Sequence, residues 1–122
     1  MTKAAAIYEF WSNFGLPAYE ENSVPSDAQM PYITYQFVSD SFGNDVAMTA
    51  SAWYRSTSWV EANRKADEIS RHIEILTEPV RIDNGRMWVK KGTPFCQSMG
   101  DDSDELIKRK YFNLIVEFFT PF

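Results

Sequence analysis

The residues from Ala50 to Leu76 constrain this chain more than any other stretch. Small and aromatic residues alternate from Ala50 to Tyr54, as in a strand, and a hydroxyl cluster follows at Ser56, Thr57 and Ser58. Ser58 stands three residues before Glu61, the spacing of a capping box, which satisfies two orphan backbone donors at a helix start. Trp59, Ala62, Ala66, Ile69, Ile73 and Leu76 then recur at gaps of three and four. That period predicts one long amphipathic helix with all six on one face. Glu61 with Lys65 and Asp67 with Arg71 form i,i+4 pairs in the favourable order, and Pro79 ends the helix.

A chain of 122 residues is one domain, 1–122, with enough apolar sequence for a core (44% apolar, 16% aromatic). No apolar run approaches the about 18–20 residues that cross a bilayer, so no membrane is expected as a partner. Glu9 interrupts the first ten residues, which therefore do not read as a signal peptide, and synthesis in the cytoplasm follows. The single cysteine, Cys96, excludes an intramolecular disulfide and a cysteine-based zinc site.

The net charge of −5 is uneven. Residues 1–54 hold six acids and one base, and 55–122 hold eleven of each, so the whole imbalance lies in the first half. Such a chain has no general attraction for nucleic acid, and no sequence-specific binding is expected. Two basic clusters stand out locally, Arg86 with Lys90 and Lys91, and Lys108 with Arg109 and Lys110. The simplest role for them is to guard solvated strand edges.

Taken in order, residues 3–14 predict a short helix with Ile7, Phe10, Trp11 and Phe14 on one face, stopped by Gly15 and Pro17. Residues 18–31 are polar and proline-punctuated, as in a loop. From Tyr32 to Val38, Ile33, Tyr35 and Phe37 alternate with Thr34 and Gln36, predicting a strand with one buried face. Residues 39–49, with Gly43, Asn44 and Asp45 at the centre, predict a hairpin-like link. After the helix, 80–91 predicts a hairpin turning on Asn84-Gly85 as a type I′ pair. Residues 92–106 predict a long acidic loop. From Arg109 to Thr120 a long strand places Phe112, Leu114, Val116 and Phe118 on one face. The sum is α-β-β-α-β-β-β, an α+β fold: a mostly antiparallel sheet, one long amphipathic helix on one face, and a short N-terminal helix.

Reactive chemistry is sparse. His72, the only histidine, sits one position off the apolar stripe, where a structural or solvated role is expected. Cys96 lies between Phe95 and Gln97 with no base beside it in sequence. Asp101, Asp102, Asp104 and Glu105 lack the spacing of a calcium loop. No catalytic, cofactor-binding or metal-binding residue is therefore assigned, and the chain is not read as an enzyme. Trp53, Trp59, Trp88, Phe112 and Phe118 fall on faces predicted to be buried. Tyr32, Tyr54, Tyr111 and Phe119 are left over, and exposed strand aromatics mark protein interfaces.

Two segments carry a resemblance. Residues 31–36 with Trp53 to Trp59, and residues 92–99 with Asp101 to Asp104 and the basic-to-apolar strand 108–119, resemble small tail-completion proteins of long-tailed bacteriophages and prophages. These are the tail terminator and tail-to-head joining proteins, and the likeness spans roughly residues 25–120. It implies an α+β fold, a homohexameric ring and a place in the virion at the head-proximal end of the tail tube. There the ring stops tube polymerisation and docks to the head-tail connector protein; its partners are itself, the tail tube protein and that connector. DNA passes through the lumen of such a ring, and a net-acidic chain would repel phosphate there. A closed ring needs two different complementary patches per subunit. Arg86, Lys90 and Lys91 on one side and Asp101, Asp102 and Asp104 on the other are the expected pair, with Tyr32 and Tyr111 as further interface candidates. The alternatives are another connector role such as head closure, a non-catalytic protein-binding module, and, last, a small enzyme using Asp83 or Asp101 around Cys96.

Overall fold

The computed structural model describes residues 1–42, 44–76 and 78–122. The chain runs α1 (Lys3–Ser12), β1 (Ala18–Glu20), β2 (Tyr32–Tyr35), β3 (Asp45–Arg55), α2 (Val60–Glu74), β4 (Val80–Ile82), β5 (Gly85–Met99) and β6 (Ile107–Phe119). The strands form one sheet in the order β1-β2-β3-β6-β5-β4. β1 runs parallel to β2, and every other neighbouring pair is antiparallel.

This overturns the expected α+β arrangement of a mostly antiparallel sheet beneath one long helix. The fold is mostly β, with 41% strand and 21% helix among the described residues, and its mixed sheet curls into a half-barrel. No long helix is evident: the segment expected to form one is a helix of 15 residues, about 22 Å of axis. Strand replaces three segments that read as loops: β1 lies within 18–31, β3 starts at Asp45, and β5 runs on to Met99. Gly92 and Pro94 look like strand breakers, but they sit in a bulge. Between Lys91, paired with Leu114, and Cys96, paired with Phe112, β5 fits four residues opposite the single Asn113. The Asn113 amide donates to the Pro94 carbonyl at 3.0 Å and pins the excursion. A Cβ on Gly92 would stand 2.8 Å from the Asn113 carbonyl oxygen, so the close approach needs glycine. Bulges of this kind bend a strand and add twist.

Both helices pack on one face of the sheet, here the inner face. Phe112, Leu114, Val116 and Phe118 of β6 are fully buried there with Met48, Ile33, Met87 and Val89 from the flanking strands. Trp11 of α1 packs its ring 6.2 Å from Phe112. Its indole nitrogen is buried without a hydrogen-bond partner among the described residues. α2 buries Ala62, Ala66, Ile69 and Ile73, four of the six stripe residues. The Lys65 ammonium donates to the Phe14 carbonyl at 2.5 Å, satisfying a loose end beyond α1.

Local details depart from the sequence pattern. No capping box forms: Trp59 is the N-cap of α2 without a side-chain hydrogen bond, while the Ser58 hydroxyl accepts from the Val60 N–H at 3.1 Å. Glu61 pairs with Arg64, and Lys65 with Glu68, each at i,i+3 rather than i,i+4. Phe37, expected in the core, lies past the end of β2 and is 45% exposed. The hairpin between β4 and β5 pairs Ile82 with Gly85, so Asp83 and Asn84 form the turn. Of these two only Asn84 has positive φ, which excludes type I′. Gly43, the centre of the expected link between β2 and β3, lies outside the described residues.

Gly85 is where the backbones approach most closely. A Cβ there would stand 1.8 Å from the Phe119 carbonyl oxygen, whereas one on Gly100 meets nothing within 4 Å. Gly85→Ala is therefore expected to cost at least about 1–3 kcal/mol, and Gly100→Ala to stay within about 0.5 kcal/mol. Urea denaturation midpoints of the two variants check this.

Candidate interaction face

The other face of the sheet has no helix over it. Cross-strand register places Tyr32, Trp53, Arg109 and Met99 in one row across four strands. The next row holds Tyr19, Thr34, Ser51, Tyr111 and Gln97. Trp53 and Trp88, expected in the core, lie half-buried on this outer face, whereas Tyr54, expected outside, is buried on the inner one. The strands start and register differently from the sequence expectation, and a shift of one residue exchanges the two faces.

Toward the end of this face nearest the β5–β6 connection is a guanidinium held by its neighbours. Arg109 lies 4.6 Å from the Trp53 ring centroid and 5.1 Å from that of Tyr111. Its Nε donates to the Ser51 hydroxyl at 2.9 Å, and Ser51 is only 2% exposed. The Trp53 indole N–H donates to Thr34 Oγ1 at 2.8 Å, which fixes the ring beneath the guanidinium. Tyr32 meets Tyr19 edge to face at 5.8 Å. Among the described residues no carboxylate pairs with Arg109. Trp, Tyr and Arg, prearranged and half-exposed, are the residue types that dominate protein-binding energy.

Strand alternation divides the basic clusters seen in the sequence. Arg109 points outward, while Lys108 and Lys110 point inward, 5.8 Å and 5.3 Å from the Trp59 ring. Lys110 is 9% exposed and donates to the Ser98 hydroxyl at 2.6 Å. Lys90 is bound to Glu117 at 3.2 Å and faces Asp45 at 3.6 Å. Lys91 is held by Glu74 at 2.6 Å and Ser70 at 2.8 Å. Both lysines expected to meet a neighbouring subunit are thus satisfied within the chain. Arg86 is exposed on the outer face, opposite the equally exposed Arg81.

The acidic segment 100–106 is the turn joining β5 to β6. Asp101 accepts from the Ser103 N–H at 2.8 Å and its hydroxyl at 2.6 Å. Asp104 pairs with Arg55 and accepts from the Leu106 N–H at 3.0 Å. Asp102 is exposed and makes no hydrogen bond or ion pair among the described residues. The Asp101 carboxyl is held below its ordinary pKa by the Ser103 hydroxyl and then the Ser103 N–H. Arg55 and then the Leu106 N–H do the same for Asp104.

His72 stacks edge-on against Phe14 at 5.2 Å and tilted against Phe10 at 5.7 Å. It lines a cavity of about 230 Å³ with Ala6, Glu9, Phe10, Asn13 and Leu76. Burial is the main influence on Cys96 and pushes its thiol up, with nearby Lys110 partly opposing. Among the described residues no three His, Cys, Asp or Glu side chains are placed to hold a metal ion, and no helix is long and apolar enough to cross a membrane. A scan of the chain against protein-family models finds no match, and a search of curated proteins finds none.

Because their folded pKa values are lowered, Asp101 and Asp104 stabilise the turn fully above about 3.9, the ordinary Asp value. That contribution is lost as pH falls through the lowered folded values. Exchange protection of the Ser103 and Leu106 amides is expected to follow this profile by NMR, and Asp104→Asn to remove it at Leu106 alone. Cys96, kept as a thiol at neutral pH, is expected to react with iodoacetamide at pH 7 more slowly than free cysteine, with the rate rising toward alkaline pH.

Proposed function

We propose that this chain is a non-catalytic virion assembly protein of a long-tailed phage or prophage. In this role it closes the head-proximal end of the tail tube as a homohexameric ring, stops tube polymerisation and joins the tail to the head connector. The observation that carries the proposal is the helix-free outer face, with Arg109 held between Trp53 and Tyr111. Aromatic surface and an ordered guanidinium left open to solvent suit burial against another protein. The sequence likeness over residues 25–120 supplies the phage context; the curled, mostly-β fold is not what that likeness implied and lends it no support. The net charge of −5 suits a lumen through which DNA passes without being held.

The same face also suits a protein-binding module that docks to a different partner and forms no ring. Oligomeric state separates the two. Light scattering over a concentration series, with negative-stain images of the same sample, is expected to give six chain masses and annular particles. A monomer that also fails to bind tail tube protein overturns the ring and leaves the binding module.

A further inference from the structure

We propose that Arg109 of one copy receives the carboxylate of Asp102 from the β5–β6 turn of the next copy. The contact rests on the ring assembly proposed above and names the residues that would hold it. Arg109 has its Nε committed to Ser51 and its guanidinium carbon 4.6 Å and 5.1 Å from the Trp53 and Tyr111 ring centroids. The remaining guanidinium N–H groups have no carboxylate partner among the described residues. A fork held this way loses little entropy on binding, and its geometry matches a carboxylate bidentately.

The complementary charge lies on the chain's own turn. Asp104 is taken by Arg55 and Asp101 by Ser103; of the two carboxylates left, Glu105 lies beside the Lys108 ammonium, which donates to its carbonyl, and Asp102 projects from the braced turn. The other outer-face arginines are weaker receptors. Arg81 and Arg86 are exposed and face each other as like charges, and among the described residues neither guanidinium lies over an aromatic ring. A turn on one copy and a sheet face on the next are two different patches, the arrangement that closes a ring. An aromatic face with an arginine also suits stacking of single-stranded nucleic acid bases. Asp45 and Glu117 on the same face, with the chain's net charge of −5, repel a polyanionic phosphate backbone more than a single carboxylate, which favours the protein contact.

Charge reversal tests the contact. Arg109→Glu and Asp102→Arg are each expected to weaken self-association at least tenfold by light scattering, and the double variant to restore it. Arg81→Glu, at an exposed residue outside the proposed contact, should leave it unchanged. Circular dichroism melts show whether Arg109→Glu still folds; if it does not, Asp102→Arg on its exposed turn decides. A ring that survives Asp102→Arg unweakened overturns the contact and leaves the ring assembly standing. A wild-type chain that self-associates neither alone nor on tail tube protein overturns both. Binding of a poly-dT oligonucleotide that Arg109→Glu abolishes, with self-association unaffected, replaces the protein contact by a nucleic-acid one.

Discussion

Strand β6 is hydrogen-bonded on both sides, to β3 from Ile107 to Glu117 and to β5 from Arg109 to Phe119 with one interruption. Because side chains alternate along a strand, this double pairing divides the molecule in two. Even-numbered residues from Phe112 to Phe118 form the wall against which both helices pack. Odd-numbered residues Arg109 and Tyr111 stand on the uncovered side. The core and the candidate interaction face are therefore two sides of one strand, and a one-residue slip would exchange them.

The interruption shapes the rest. Asn113 takes the place of a ladder partner for the excursion 92–95 by donating to Pro94, and Gly92 admits its carbonyl at close range. Past the bulge, β5 resumes pairing at Cys96 and brings Met99 opposite Arg109. That places the acidic turn at the same end of the sheet as the stacked guanidinium. β4 covers β5 only from Gly85 to Met87. Beyond that cover Lys90, Lys91 and Pro94 blunt the open edge, devices that discourage uncontrolled strand addition.

Some of this was legible in the residues. The three-and-four spacing from Ala62 to Ile73 identified the buried stripe of α2, and the alternation from Phe112 to Phe118 identified the inner wall of β6. Other features were not. Gly92 and Pro94 read as breakers because their tolerance in a strand depends on Asn113, about twenty residues away. Trp53 read as core because a large ring in a strand is usually buried, and only the pairing of β3 with β6 shows which side it faces. The clusters 86–91 and 108–110 read as basic patches because sequence proximity ignores the alternation that sends Lys91 and Lys110 inward and Arg109 outward.

The sequence by itself determined the local periods: which residues share a helix stripe, which alternate along a strand, and that the chain has one histidine and one cysteine. Tertiary structure alone decided the curled mostly-β sheet, the parallel β1, the continuation of β5 and, among the described residues, the absence of a carboxylate paired with Arg109. The physical reason is range. Helix and strand periods are set by neighbours a few residues apart, whereas strand pairing, bulge placement and the choice of ion-pair partner are set by residues far apart in the chain, whose meeting no local pattern records.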